Sequence, residues 1–286
     1  MNFSTYLEVL LSAKEAAAKI PLGVYDPIVW PELRPDAPTA MLLSAHPDDE
    51  WLSFMPLGLR LRREGYNVVV VAVTLGRPEQ HARRLSELTA ACRYGGMELC
   101  VPGPEGKGLR DQIRNENGET FSGAVEEVLK LTNRYMPKVF ITHHAEDGHR
   151  DHKSCNRLAK IATACSKQHT FLVETEYWQD IGEPNCQLEV AYLDVVRVME
   201  GVSFHKGELE RNPYHLTYPL LGMLNAQYVE RVVGFGNPAA KFQFSVILKL
   251  TVFKMGRQYD YKHPSQLSTD QSVSMLFPEK PTTTSV

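Results

Sequence analysis

The chain has 286 residues, of which 43% are hydrophobic and 23% charged, so it can bury the core of one large globular domain. Its formal net charge is −3, which excludes a polyanionic nucleic acid as the expected partner. A local cluster of Arg60, Arg62 and Arg63 is interpreted as the solvated end of a helix. No stretch approaches ~20 uninterrupted apolar residues, so no membrane span is expected.

The cysteines favour a reducing compartment. They are scattered along the chain, at Cys92, Cys100, Cys155, Cys165 and Cys186. Their number is odd and no CxxC pair occurs, which is typical of free thiols rather than of a disulfide framework. The first 20 residues lack a basic segment before their apolar stretch, and Glu8 interrupts it, so a signal peptide is not expected. The sequence therefore predicts a cytoplasmic protein.

The chain divides into three parts. Residues 1–39 are expected to form an amphipathic helix (3–19) and a proline-rich connector. Residues 40–262 are expected to form the main domain, with a less regular, β-containing part at 187–262. Residues 263–286 are polar and rich in Pro, Ser and Thr, and a poorly ordered tail is expected there.

Strand and helix patterns alternate in the main domain. Short apolar runs typical of buried strands occur at 40–45, 67–75, 98–102, 138–143 and 170–175, with helical patterns at 51–65, 80–96, 121–135 and 151–167. This alternation predicts an α/β fold with a parallel sheet covered by helices on both faces. LEVAYLDVV (188–196) and FQFSVILKLTVF (242–253) read as strands of a smaller C-terminal β addition.

Two polar segments directly follow predicted strands, AHPDDE (45–50) and HHAEDGHRDH (143–152). The C-terminal ends of parallel strands meet at one edge of a sheet, where ligands bind. His46 and Asp49, with one histidine from the second segment, would supply two imidazoles and one carboxylate. Three protein ligands leave an open position for water, which is typical of catalytic zinc, although the same set also suits Fe²⁺.

Amide hydrolysis fits the groups beside these ligands. A carboxylate that does not bind the metal can take a proton from the activated water, and Asp48 is placed for this role. His149 is placed to stabilise the oxyanion and to help the amine leave. Asp151 is expected to orient His149, and it is also a candidate N-cap for the following helix.

These segments resemble the LmbE-like (PIG-L) family of zinc deacetylases. The similarity extends to TLGRPEQHARRLSELTAACRYGG (74–96) and NRYMPKVFIT (133–142), and it covers about residues 40–175. The resemblance implies a Rossmann-like fold and a zinc-dependent N-deacetylase acting on an N-acetylglucosamine-type conjugate. It further implies that His46, Asp49 and His152 are the zinc ligands, that Asp48 is the general base and that His149 is the proton donor.

The substrate is less well defined by the sequence. Four further candidates for substrate contacts are His144, Arg84, His205 and Arg211, each of which could instead close a loop hydrogen bond or a surface ion pair. Two alternatives remain open: a zinc amidase that cleaves a larger acyl group from an amino-sugar conjugate, and a catalytically inactive sugar-binding relative. The expected partner is a small acetylated amino sugar, and the oligomeric state is left open, a homo-oligomer included.

Overall fold

The computed structural model describes residues 2–115, 119–166, 169–237 and 241–284. The strands in these ranges are β1 (Thr39–Ser44), β2 (Asn67–Ala72), β3 (Glu98–Cys100), β4 (Val139–His143), β5 (Thr170–Thr175), β6 (Cys186–Glu189), β7 (Ser245–Lys254), β8 (Arg257–Tyr261), β9 (Gln266–Leu267) and β10 (Thr283–Thr284). The α-helices are α1 (Phe3–Ala17), α2 (Met55–Arg63), α3 (His81–Gly95), α4 (Arg110–Arg114), α5 (Glu119–Tyr135), α6 (Arg150–Ala164), α7 (Tyr192–Val202), α8 (Lys206–Leu209), α9 (Tyr214–Gln227) and α10 (Glu230–Val233).

One sheet runs through the molecule in the order β10-β8-β7-β5-β4-β1-β2-β3. The five strands β3, β2, β1, β4 and β5 are parallel, which confirms the predicted α/β architecture. β2 lies on one side of β1 and β4 on the other. The chain therefore runs outward from β1 to β3 and then crosses back to β4, so the strand order reverses beside β1. The loops after β1 and β4 therefore open a crevice at the C-terminal edge of the sheet, where ligands bind in such folds.

Apolar side chains on both faces of the sheet form the core. Val68 and Val70 of β2 point into the layer with α2, α3 and α7, whereas Val69 and Val71 point into the layer with α5 and α6. This continuous apolar pattern is expected of a strand that is buried on both sides. β1 pairs with β2 on one side and with β4 on the other, so it lies inside this buried sheet.

The segment LEVAYLDVV was predicted as a strand, and this prediction is wrong for its second half. Residues after β6 turn into α7, whose Val195, Val198 and Val202 are buried at helical spacing. A run of β-branched residues favours a strand, but here the three- to four-residue spacing of the buried side chains decides. The expected C-terminal β addition is present and continues the main sheet, since β7 pairs antiparallel with β5.

The C-terminal segment is packed, contrary to the expectation of a poorly ordered tail. Leu267, Val273, Leu276 and Phe277 are completely buried. The Arg60 guanidinium donates to the carbonyl oxygens of Ser268 (2.9 Å) and Gln271 (2.6 Å), and the Glu64 carboxylate accepts from the N–H of Val273 (2.6 Å). These few buried apolar side chains anchor the segment, although most of its residues are polar.

Arg60 and Arg62 are buried, not solvated as expected from the helix-end interpretation. Arg62 donates to the Pro31 carbonyl oxygen (3.3 Å), so α2 fastens the N-terminal connector as well as the C-terminal segment. The five cysteines are all free thiols, and the cytoplasmic location stays a prediction. In the part of the chain that the structure describes, no helix has the length and apolarity needed to cross a bilayer.

Candidate active site

The loop after β1 holds a strained residue at its centre. Asp48 has φ +119°, a conformation that non-glycine residues rarely adopt and that costs about 1–3 kcal/mol. Its N–H donates to Oε2 of Glu50 (2.9 Å), a charge-assisted hydrogen bond worth about 1.5–3 kcal/mol. Its carbonyl oxygen accepts from the N–H groups of Trp51 and Leu52 (both 3.1 Å), which starts the π-helical turn Glu50–Phe54. π-Helical turns are frequent at functional sites.

The loop after β4 leads directly into α6. His149 is the N-cap of this helix, and its Nδ1 accepts from the N–H of Asp151 (3.2 Å). Asp151 is therefore in the first turn and is not the N-cap, a role that the sequence left open for it. His152 lies three residues after His149, so one turn of helix presents both imidazoles to the same crevice.

The structure brings His46, Asp49 and His152 to one point. Nδ1 of His46 lies 3.3 Å from Oδ2 of Asp49. Nε2 of His152 lies 3.4 Å from the same oxygen and 3.4 Å from Nδ1 of His46. In a tetrahedral site with metal–ligand bonds of about 2.1 Å, neighbouring ligand atoms are about 3.4 Å apart. The three donor atoms thus have the spacing that a zinc-sized divalent cation requires.

His143 extends this cluster on its inner side. Its ring stacks on that of His152 with 3.7 Å between centroids, and its Nε2 lies 3.5 Å from Oδ2 of Asp49. The same nitrogen accepts from the N–H of Ala45 (3.4 Å), so the ring supports the loop after β1. Burial lowers the pKa of His143 to about 4.

Opposite charges dominate the electrostatics of the metal-free cluster. Burial lowers the pKa of His46, but hydrogen bonds to Asp151 and Asp49 outweigh it and raise the value to about 9. Burial likewise opposes the charged form of His152, but Asp49 and Asp147 raise its pKa to about 10. In turn His152 and His143 hold the pKa of Asp49 well below its usual range, although burial acts in the opposite direction. The protons on His46 and His152 therefore compete with a cation for the imidazole nitrogen atoms of the cluster.

Asp48 lies beside the cluster on the wall of a cavity of about 440 Å³. It is not one of the three converging groups. Burial, followed by the charge of Asp49, raises the pKa of Asp48 to about 8. The Tyr214 hydroxyl lies within hydrogen-bonding reach of this carboxyl group, and Tyr214 lines the same cavity. A carboxyl group in this setting exchanges a proton near neutral pH.

The Asp151 carboxylate contacts His46 rather than the ring of His149. Its Oδ2 lies 3.0 Å from Nε2 of His46, and Arg114 binds both of its oxygens, at 2.9 and 2.6 Å. It was expected to orient His149, whereas in the structure it fixes the ring of His46. A carboxylate on the far nitrogen of a histidine is the usual second partner of a metal-binding imidazole.

The four candidate substrate residues fall into two groups. Arg84 and Arg211 line the cavity, where both pair with Glu208. His205 is completely buried and lies 2.6 Å from Oε1 of Glu50. His144 is also buried, and its Nε2 lies 2.9 Å from the carbonyl oxygen of Gln179. The last two therefore do not face the cavity, and the expectation that they contact substrate is not supported by their positions.

Sequence reasoning missed several residues of this site. Asp147 lies 3.1 Å from Nδ1 of His152 and accepts from the N–H of His149 (2.7 Å). It is part of the HHAEDGHRDH segment and lies five residues before His152, so the sequence could have predicted it as a partner of this ring. Arg114 and Tyr214 lie in segments without any recognisable pattern, and only the folded chain brings them to the crevice.

Residues 41–163 match the family model described as "PIG-L: GlcNAc-PI de-N-acetylase". The 1D-myo-inositol 2-acetamido-2-deoxy-alpha-D-glucopyranoside deacetylase of Segniliparus rotundus is 30% identical to this chain, and the similarity covers 52% of this chain and 59% of that protein. The chain thus spans less than two thirds of the length of this curated relative.

Two solved structures share the fold. The N,N'-diacetylchitobiose deacetylase from Pyrococcus horikoshii has a TM-score of 0.55 and 14% identity, covering 87% of this chain and 93% of that chain. The 4-carboxy-2-hydroxymuconate hydratase from Pseudomonas putida has a TM-score of 0.53 and 16% identity, covering 74% and 95%. Since this fold carries both a deacetylase and a hydratase, the activity has to be argued from the site.

Proposed function

We propose that this chain, whose residues 41–163 match the PIG-L family model, is a divalent-metal-dependent hydrolase. Its reaction would remove the acetyl group from an N-acetylated amino sugar or a conjugate of one. The observation that carries this proposal is the spacing of 3.3–3.4 Å among one carboxylate oxygen and two imidazole nitrogens, with a second carboxyl group beside them.

His46, Asp49 and His152 would hold the cation, and we propose zinc as the metal. Two imidazoles and one carboxylate are a common catalytic zinc set, and the same ligand types also suit Fe²⁺. When bound, the cation lowers the pKa of water and polarises the amide carbonyl. Asp151 supports the set because its contact with Nε2 of His46 leaves Nδ1 directed at the cluster.

Asp48 would be the general base. It is buried beside the cluster, where burial and the charge of Asp49 raise its pKa to about 8. Only the ionised carboxylate can take a proton from water, and the charge of a cation held by Asp49 would favour that form. Tyr214, which lines the same cavity, lies within hydrogen-bonding reach of this carboxyl group. The proton that Asp48 takes from water can then pass to the departing amine, a step for which the family resemblance implied His149 as the donor.

His149 would stabilise the negative charge on the carbonyl oxygen. Burial, followed by the charges of His46 and His152, lowers the pKa of His149 and so favours the neutral ring. Its Nδ1 accepts a backbone hydrogen bond from Asp151, which leaves the proton on Nε2. That N–H is a donor for the developing oxyanion, and the ring lines the cavity where the substrate would lie.

The cavity walls fit a polar, sugar-sized ligand. Among the lining residues, Arg84, Glu208 and Arg211 provide donors and acceptors for hydroxyl groups, and Trp178 provides an aromatic ring. A volume of about 440 Å³ is within the usual range for small-molecule sites. These features favour a small glycoside over a polymer.

The decisive experiment is an activity screen of metal-loaded protein. The purified chain is stripped of metal, reloaded with Zn²⁺ or Fe²⁺, and incubated with N-acetylglucosamine, diacetylchitobiose and an N-acetylglucosaminyl-inositol. Release of free amine is measured, with Asp48→Ala as the control. A parallel panel with bulkier acyl groups separates a deacetylase from an amidase for larger acyl groups.

We expect metal-dependent amine release from at least one acetylated substrate and a loss of about 10²–10⁴-fold in kcat for Asp48→Ala. A protein that binds no divalent metal, or an Asp48→Ala variant with unchanged turnover, would contradict the proposal.

A further inference from the structure

A fully buried ion pair lies directly behind the loop that carries Asp48. Glu50 and His205 are both completely shielded from solvent, and Oε1 of Glu50 lies 2.6 Å from Nε2 of His205. Because an ionised carboxylate can only accept, Nε2 of His205 is the donor. A carboxylate is costly to bury without a partner, and His205, 155 positions further along the chain, supplies that partner.

The second oxygen of Glu50 reaches the residue proposed as the base. Oε2 accepts from the N–H of Asp48 (2.9 Å), whose backbone is held at φ +119°. The Glu50 carboxylate therefore connects a fixed imidazole on one side to a strained peptide on the other.

We propose that Glu50, held by His205, is a positioning residue that fixes the strained backbone of Asp48 and so aims its carboxylate at the attacking water. This proposal rests on the function proposed above. The Asp48 peptide is held at its N–H by Glu50, and its carboxyl group lies within reach of Tyr214. A displacement of a catalytic group by about 1 Å can cost on the order of 10²-fold in rate.

The test compares Glu50→Ala with Glu50→Gln. Alanine removes the acceptor for the Asp48 N–H, whereas the glutamine amide oxygen can still accept it. The amide N–H₂ can donate to Nε2 of His205 when that ring is neutral and carries its proton on Nδ1. We expect kcat to fall about 30–100-fold in Glu50→Ala and to stay within about 5-fold of wild type in Glu50→Gln. KM and the Zn²⁺ affinity, measured by competition with a chromophoric chelator, should change less than about 3-fold, because Glu50 does not belong to the ligand set.

Glu176 provides a matched control. It is also a buried carboxylate that accepts a backbone N–H, that of Ile181 (2.9 Å), and pairs with a cation, Arg231 (2.8 Å). Glu176→Ala should lower Tm as Glu50→Ala does, yet leave kcat within about 2-fold. If Glu176→Ala loses as much kcat as Glu50→Ala, or if folded Glu50→Ala keeps its kcat, the positioning role is overturned.

Two further measurements keep the proposal testable. If Glu50→Ala does not fold, His205→Phe retains Glu50 but removes its partner, and kcat should fall at least about 10-fold; an unchanged kcat overturns the proposal. Crystal structures should show Asp48 at positive φ in Glu50→Gln and relaxed to negative φ in Glu50→Ala, and an unrelaxed Asp48 in the latter also overturns it. If the wild type deacetylates nothing, the proposed function fails, while the backbone conformation still decides the role of Glu50.

Discussion

Nε2 of His152 lies 3.4 Å from Nδ1 of His46, although 106 positions separate the two residues along the chain. The contact exists because β1 and β4 are neighbours in the sheet and each ends in a loop at the same edge. Asp49 completes the triangle at 3.3 and 3.4 Å. The parallel sheet therefore brings together the two loops that supply the candidate metal ligands.

Asp49→Ala should abolish tight metal binding, since it removes the only carboxylate of the proposed ligand set. We expect the wild-type Tm to rise by about 5 °C when free Zn²⁺ exceeds Kd about 100-fold. The variant should show no such rise at the same concentration. Asp180→Ala, on an exposed side chain, is the control and should respond like the wild type. A full metal-induced shift in Asp49→Ala would remove Asp49 from the ligand set.

Metal binding should release protons. The pKa values of His46 and His152 are raised to about 9 and about 10 in the metal-free protein, so both rings are protonated at pH 7. A histidine binds a metal only in its neutral form. We therefore expect roughly two protons to be released per Zn²⁺, and affinity to increase with pH from 6 to 8. Calorimetry in buffers of different ionisation enthalpy measures this number, and zero release would show that the two rings do not exchange protons for the cation.

Asp151→Asn should weaken metal binding through His46. The loss of the charge opposite Nε2 of His46 makes the ring a poorer ligand, and such changes typically cost about 10–100-fold in affinity. Asp111→Asn, an exposed carboxylate on α4, is the control. If kcat falls while the metal affinity is unchanged, Asp151 acts instead on His149, as its position in the sequence suggested.

Arg60→Ala should destabilise the fold without touching the cavity. It leaves the buried carbonyl oxygens of Ser268 and Gln271 without their donor, so we expect the free energy of unfolding to fall by about 2–4 kcal/mol. Urea denaturation measures this loss. Arg93→Ala, on the exposed face of α3, should stay within about 0.5 kcal/mol of wild type. A similar value for both variants would mean that Arg60 does not anchor the C-terminal segment.

The sequence was most informative where local patterns and sheet geometry coincide. The five parallel strands follow from short apolar runs, and the meeting of 45–50 with 143–152 follows from the rule that such strands end at one edge. The role of His205 could not be predicted because its partner Glu50 is 155 positions away and no periodicity links them. The packing of residues 264–284 was missed for a related reason, since composition does not reveal which few apolar side chains find a site in the core.

Residues from the C-terminal half of the chain contact the loop that carries Asp48, and this bears on how relatives with the same fold can differ in activity. The proposed ligands all lie inside residues 41–163, whereas Tyr214 and His205 come from beyond that range. Exchanging the C-terminal half between relatives should therefore alter turnover and substrate choice together while leaving cation capture intact. Chimaeric proteins, rather than single substitutions, are the natural route to new acyl or sugar preferences on this scaffold.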